Sequence, residues 1–342
     1  MRKYNARRVL VRGEAVYYTT GRLLPEAPAF DPQALGAVTS VLQRCAAFSG
    51  VELYTFFVEP RGYSALLRVA PEQKRVTDEE LLRRAGMIYS KKVNRYRDEM
   101  SPESIARILE GGGAKARKLR RELTSRMADL SVFERTFRQR ATLWYNRHHT
   151  EIGPMWCNPF TSVLVENHPA VRALVGAYID LAPVRAGLAS APEHYPWCGF
   201  GAAASGSDAA MEALARMAGP DLTPAASLGR YRTLMQLWGP YPDPTPDALR
   251  AAADLPLPAE PALFARSHLT MENGGAIGRP AFIARQLKIN GFRRRRTPPP
   301  GFTAPESPVR ITHMRTPNPA HGRPRSLHRV VPPAYAANST TH

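Results

Sequence analysis

Val51-Glu-Leu-Tyr-Thr-Phe-Phe-Val58, Glu59-Pro-Arg-Gly62 and Tyr63-Ser-Ala-Leu-Leu-Arg-Val69 make up the stretch whose reading decides the fold. Two runs rich in β-branched and aromatic residues flank a short segment that carries proline and glycine. The pattern predicts two antiparallel strands joined by a hairpin turn. Toward the N-terminus, Asp31-Pro32 opens a segment with apolar residues at Leu35, Val38, Val41, Leu42, Cys45 and Phe48. Asp31 suits an N-cap, Pro32 the first helical position and Gly50 the stop, so a helix is expected there. Farther upstream, Ala15–Arg22 reads as a first strand. Strand–helix–strand–strand suits a small α+β domain with an antiparallel sheet.

Downstream of the hairpin, helices are expected over about 77–150. Thr77-x-x-Glu80 is a capping box ahead of Leu81, Leu82 and Met87; Ser101-Pro102 starts a further helix that Gly111-Gly112-Gly113 ends. The run Gly111–Lys115 lacks the spacing of a phosphate-binding loop and follows a helix rather than a strand. Residues 115–126 are dense in Lys and Arg and read as a surface helix. Ser131-x-x-Glu134 is a second capping box, opening a helix with Phe133, Phe137, Ala141 and Trp144 on one face. Arg135, Arg138, Arg140 and Arg147 lie on its other face, which suits contact with phosphates. Asn167 is expected to cap a helix carrying Val171, Leu174, Val175, Tyr178 and Ile179 at helical spacing. Residues 206–290 read as a small helical appendage, and 291–342 as a disordered Arg/Pro-rich tail that cannot bury enough surface to offset its ordering entropy.

The chain of 342 residues carries a net charge of +18, with a pI near 10.3. The charge is uneven: about +8 falls within 71–150 and about +8 within 291–342, whereas 151–290 sums to about −2. Two basic blocks in one chain point to a polyanionic partner, because each neutralised phosphate releases counterions. Cys45, Cys157 and Cys198 are too few and too scattered for a disulfide framework or a zinc site, which favours a reducing compartment. No uncharged apolar run is long enough for a membrane span. A cytoplasmic location is therefore expected, nucleoid-associated if the source is bacterial, with no membrane partner.

Several strings, taken in order, resemble one family. They are Phe57-Val-Glu-Pro-Arg-Gly-Tyr-Ser-Ala-Leu-Leu-Arg-Val69, Trp144-Tyr-Asn-Arg147, Gly153-Pro-Met-Trp156, Phe160-Thr-Ser-Val-Leu-Val-Glu166, Tyr178-Ile-Asp-Leu-Ala-Pro-Val-Arg-Ala-Gly-Leu188 and Pro192-Glu-His-Tyr-Pro-Trp197. Together they resemble the REP-associated tyrosine transposases, single-strand transposases of the HUH class; Gly275-Ala-Ile-Gly-x-x-x-Phe282 is similar to a C-terminal element of longer members. The resemblance runs from about residue 10 to 205. It implies a ferredoxin-like sheet with packed helices over 1–205. It also implies DNA as partner, single-stranded and carrying a hairpin, and allows a homodimer. In the family, two histidines on one strand hold Mg²⁺ or Mn²⁺, which polarises the scissile phosphate, and a tyrosine on a later helix attacks it.

Here the chain departs from that pattern. The family's histidine positions correspond to Gly62 and Ser64, two residues apart and so on one strand face. Neither is a useful metal ligand. Glu59 is expected off that face by alternation, and His148 and His149 point about 100° apart on a helix. Tyr178 matches the nucleophile, though its place on an apolar stripe fits a core tyrosine equally. Asp180 and Ala182 also replace polar family residues. The resemblance and the basic faces together nominate Lys91, Lys92, Arg95, Arg138, Arg140, Asn146, Arg147 and Arg185 as DNA contacts. Tyr17, Tyr54 and Tyr63 are candidates for stacking on bases.

Three readings follow. The chain is a transposase-like DNA binder that needs no cofactor because its metal-dependent chemistry is lost. Alternatively, it is an active transposase that nicks and joins DNA through Tyr178 with Mg²⁺ or Mn²⁺. The third reading is a basic RNA- or chromatin-associated protein that binds mainly through its tail.

Overall fold

The computed structural model describes residues 13–89, 101–149, 153–157, 159–219, 223–238, 275–289 and 312–314. β1 (Ala15–Arg22) pairs antiparallel with both β3 (Gly62–Val69) and β4 (Thr161–Val165), and β2 (Glu52–Glu59) pairs antiparallel with β3. α1 (Pro32–Ser49) connects β1 to β2. Between β3 and β4 stand α2 (Asp78–Ile88), α3 (Pro102–Glu110), α4 (Gly113–Thr124) and α5 (Leu130–His149). The strand order β2-β3-β1-β4 is that of a ferredoxin-like βαββαβ domain in which several helices occupy the place of the second one. The sheet then continues past that frame. β5 (Gly275–Gly278) joins β4 in parallel, and β6 (Thr312–Met314) pairs antiparallel with β5. The expected tail thus contributes a strand, and one strand pair in the sheet is parallel rather than antiparallel. The rest of 291–342 lies outside the described residues.

Local chemistry explains most boundaries. Asp31 Oδ1 accepts the Ala34 N–H at 2.7 Å, and Gly50 ends α1 at φ +62°, a left-handed conformation that glycine adopts without strain. Thr77 accepts the Glu80 N–H as expected. Two caps differ from expectation. α5 begins two residues earlier because Asp129 Oδ1, in place of Ser131, accepts an N–H of the first turn, that of Val132, at 2.9 Å. His168 with Pro169 opens α6 (Pro169–Asp180), while Asn167 bonds to Glu14 and Arg172 instead.

The alternation of the strands divides the core in two. Tyr63, Ala65, Leu67 and Val69 of β3 face α1, α2 and α5, where they meet Leu35, Leu42, Leu81, Phe133 and Phe137. The Tyr63 ring stands edge-on to Phe137 and Trp156, with centroids 4.8 Å and 5.4 Å away, and its hydroxyl donates to the buried Glu134 carboxylate. Leu66, with Val16, Tyr18 and Phe57, faces the other way. It meets α6, α8 (Gly199–Ala204), α9 (Asp208–Ala218) and α10 (Pro224–Trp238), which follow the short α7 (Ala182–Arg185). Helices within 206–290 therefore supply Leu214, Met217, Tyr231 and Leu234 to the same core as the sheet. The Pro192–Trp197 string covers the free edge of β2: Trp197 O accepts the Val58 N–H at 2.9 Å, and the Tyr195 hydroxyl donates to Val58 O at 2.8 Å. On the far side, Glu166 receives the Arg279 N–H at 2.6 Å and its guanidinium at 2.7 and 2.9 Å, which locks the turn from β5 into α11 (Pro280–Ile289). No helix among the described residues is long and apolar enough to cross a membrane.

Asp180 joins the elements of the second face. Fully buried at the end of α6, it accepts bonds from the Thr55 hydroxyl of β2 (2.7 Å), the Phe200 N–H of α8 (3.0 Å) and the Tyr231 hydroxyl of α10 (2.8 Å). Burial outweighs these bonds and pushes its pKa up from 3.8 to about 6. A raised carboxyl pKa means that the folded state holds a proton the unfolded chain has lost. That contribution to stability is complete below about pH 4 and fades as pH rises to about 6. Asp180→Asn keeps the shape and can serve the same partners without the charge. Urea unfolding from pH 4 to pH 7 should show the wild type losing about 2 kcal/mol relative to Asp180→Asn. Parallel pH profiles for the two proteins would contradict this account.

Candidate functional site

Tyr178 lies on α6, which packs on the second sheet face beside Val16, Tyr18 and Leu66. The Tyr178 ring meets Tyr18 edge-on, centroids 6.1 Å apart at 78°, and it is 8% exposed. Arg185, from α7, sets its guanidinium 4.3 Å above the Tyr178 ring and donates to the Tyr178 carbonyl at 2.6 Å. The residue as a whole is exposed, yet burial disfavours the charge on its guanidinium, which the Tyr178 and Tyr18 phenols partly offset. Burial holds the Tyr18 phenol well above its usual range, and the adjacent Tyr178 adds to this while Arg185 opposes it. The sequence thus places two phenols and one guanidinium together at this face.

Gly62 and Ser64 lie on the same face. Gly62 pairs with Glu59 on one side and Arg22 on the other; Ser64 pairs with Phe57 and Thr20. Glu59 therefore shares the face, contrary to expectation. Alternation holds along a strand but not through the turn, since residues that flank a two-residue turn pair directly and point the same way. Burial raises the Glu59 carboxyl pKa, and the Arg22 charge offsets part of the rise. At Gly62 a Cβ would stand 2.4 Å from the Gly21 carbonyl oxygen, so the backbone of β1 fills the space a side chain needs. Ser64 is buried and offers a hydroxyl. One carboxylate opposed by an arginine, one hydroxyl and one glycine do not fit a divalent cation. Among the described residues no group of three or more His, Cys, Asp or Glu is placed to hold a metal. The two helix-end histidines serve packing: His148 stacks on Trp144 at 4.2 Å, and His149 on Tyr145 at 4.0 Å.

The nominated DNA contacts separate into groups. Lys91, Lys92 and Arg95 lie outside the described residues. Arg138 is buried, donates to the Cys157 carbonyl and packs over Trp156, and Asn146 donates to Gly153 O at 3.2 Å. Arg147 is exposed, and Arg140 is partly buried beside Tyr89. Tyr17, Tyr54 and Tyr63 are all buried, and both sheet faces carry helices, so none of the three offers a free ring to a base. Two residues that no motif marks join Arg140 in a cleft of about 760 Å³ between α1, α2, α4 and α5: Arg44 and Arg126. They come from separate elements, so no spacing in the sequence could have grouped them.

Placing histidines at the two strand positions tests the steric reading. Gly62→His with Ser64→His should lower stability by about 1–3 kcal/mol through overpacking against β1. Thermal melts with and without Mn²⁺ should coincide. A melting temperature that rises with Mn²⁺ would show that the strands can part and admit the ligands.

No protein-family model matches the chain, and no curated protein matches it. Among solved structures, it is similar to one described as the REP-associated tyrosine transposase bound to a REP hairpin. The two are 13% identical over 60% of this chain and 87% of that chain, with a TM-score of 0.36, a remote likeness.

Proposed function

We propose that this chain is a transposase-like DNA-binding protein that recognises hairpin-bearing single-stranded DNA and no longer performs metal-dependent strand cleavage. The observation that carries the reading is the register that puts Gly62 and Ser64 on the sheet face under the Tyr178 helix. The motif order of the family and a ferredoxin-like strand order support the platform. The filled space at Gly62 argues against the metal step, because a histidine there would collide with β1 backbone. Without a Lewis acid on the phosphate, a packed tyrosine is a poor nucleophile near neutral pH. Arg185, stacked on Tyr178, then serves as a phosphate-facing cation rather than as part of a cleavage centre. The basic surface of α4 and the exposed arginines of α5 supply sequence-independent attraction.

Fluorescence anisotropy with a hairpin carrying an unpaired tail, in the presence of Mg²⁺ or Mn²⁺, tests the reading. Binding should be salt-sensitive, and Tyr178→Phe should change the affinity less than about twofold. Denaturing gels should show no covalent protein–DNA adduct. An adduct in the wild type that disappears in Tyr178→Phe would establish the active-transposase reading instead. Removal of residues 291–342 should weaken binding without abolishing it; complete loss would favour binding through the tail.

A further inference from the structure

The cleft on the first sheet face has features that neither Tyr178 nor the hairpin reading uses. Arg44 (α1), Arg126 (after α4) and Arg140 (α5) converge on it, and Arg147 stands at its rim. Glu122 is the acid among its lining residues, and it sits 4.0 Å from Lys118. Among the described residues no carboxylate forms an ion pair with Arg44, Arg126 or Arg140. The arginines are nevertheless held in position. Arg44 Nε donates to Met87 O at 2.6 Å, Arg126 donates to the Tyr89 hydroxyl, and the Arg126 and Arg140 guanidiniums lie 5.7 Å and 5.6 Å from the Tyr89 ring centre. Cys45 lines the same cleft, and burial raises its thiol to about 12 against the opposing charges of Arg140, Arg44 and Arg126. Burial also disfavours the charge on Arg140, and the nearby Arg126 and Arg44 disfavour it further.

Like charges gathered in a partly buried cleft repel one another, and a bound anion relieves that repulsion with charge-assisted hydrogen bonds. Each guanidinium has five N–H donors, and the bonds above use one of them on Arg44 and one on Arg126. Beside the cations lies an apolar wall with Met87 and Trp144, and Leu143 is 57% exposed at the margin. A volume of about 760 Å³ suits a small-molecule-sized ligand rather than a lone ion.

We propose that this cleft binds one unpaired nucleotide unit of a DNA strand, its phosphate held by Arg44, Arg126 and Arg140 and its base laid against the Met87–Leu143–Trp144 wall. The proposal rests on the DNA-binding reading above and gives it a second contact, on the opposite side of the sheet from Tyr178. It requires an unpaired nucleotide, so a hairpin's tail engages the cleft and its duplex stem does not.

The test compares a tailed hairpin, the same hairpin without its tail, and a short oligodeoxythymidylate as labelled probes, with thymidine monophosphate as competitor. Arg140→Gln and Arg44→Gln should each weaken binding of the tailed hairpin and the oligodeoxythymidylate about tenfold, and leave the blunt hairpin within about twofold. Thermal melts identify a variant that fails to fold, and the other variant then decides. Arg83→Gln, at an exposed arginine paired with Glu80, should match the wild type. Unchanged affinity for the tailed hairpin and the oligodeoxythymidylate in both cleft variants overturns the cleft and leaves the hairpin reading standing. Oligodeoxythymidylate binding that the variants lose, in a protein that binds neither hairpin, upholds the cleft and overturns the hairpin reading. Competition by thymidine monophosphate that is equally effective in wild type and Arg140→Gln also overturns the proposal.

Discussion

The second half of the molecule depends on a carboxylate that water does not reach. Asp180 ends α6, where a negative charge is unfavourable to the helix dipole, and burial makes it more so. It is retained because β2, α8 and α10 each send it a donor, and those donors would otherwise be buried without a partner. One side chain thereby ties the end of α6 to the sheet, two residues from the Tyr178 ring that packs against Tyr18. The family resemblance marks position 180 as a departure from a polar site residue. In this fold the departure has a structural use, since aspartate at that position clamps helices that the shorter ferredoxin-like frame lacks.

Much of the frame was legible in local chemistry. Asp31, Pro32 and Gly50 bound α1 as expected, and Pro60-Arg61 turns the hairpin. Each of these signals concerns neighbours in the chain, where propensity and capping act directly. Misreadings arose where a distant group decided the outcome. Arg138 and Arg140 are two residues apart on α5, yet the first is drawn into the core by Trp156 and the Cys157 carbonyl while the second faces the cleft. Tyr63 has the composition of a stacking residue, but Glu134, seventy-one positions away, fixes its hydroxyl inside. Glu59 shows a third cause: alternation holds along a strand and does not carry through the turn that reverses it. Of the candidate site, the common strand face of Gly62 and Ser64 could be read ahead, whereas the three-arginine cleft could not, since its parts meet only after folding.

The two sides of the sheet have been put to different uses. The second face combines an apolar core with a small cluster of phenols, a guanidinium and Glu59, closed in by α6 to α10. The first face keeps aromatic packing near the sheet and opens farther out, where α1, α2, α4 and α5 leave cationic space between them. With the β1–β3 backbone between them, the two places share no side-chain contact among the described residues. A change confined to one should therefore combine additively with a change in the other.

The strands beyond β4 bear on how copies of this chain could meet. An exposed strand edge offers unsatisfied N–H and C=O groups to any other edge and is a common route to sheet-joined dimers and to aggregation. The Pro192–Trp197 string occupies that position along β2, and β5 occupies it along β4, with the Glu166–Arg279 clamp holding the turn that follows. Outside β5 lies β6, three residues long. A continuous sheet shared between two protomers would have to begin on that short strand. Among the described residues, these caps leave little strand edge for a second copy to extend.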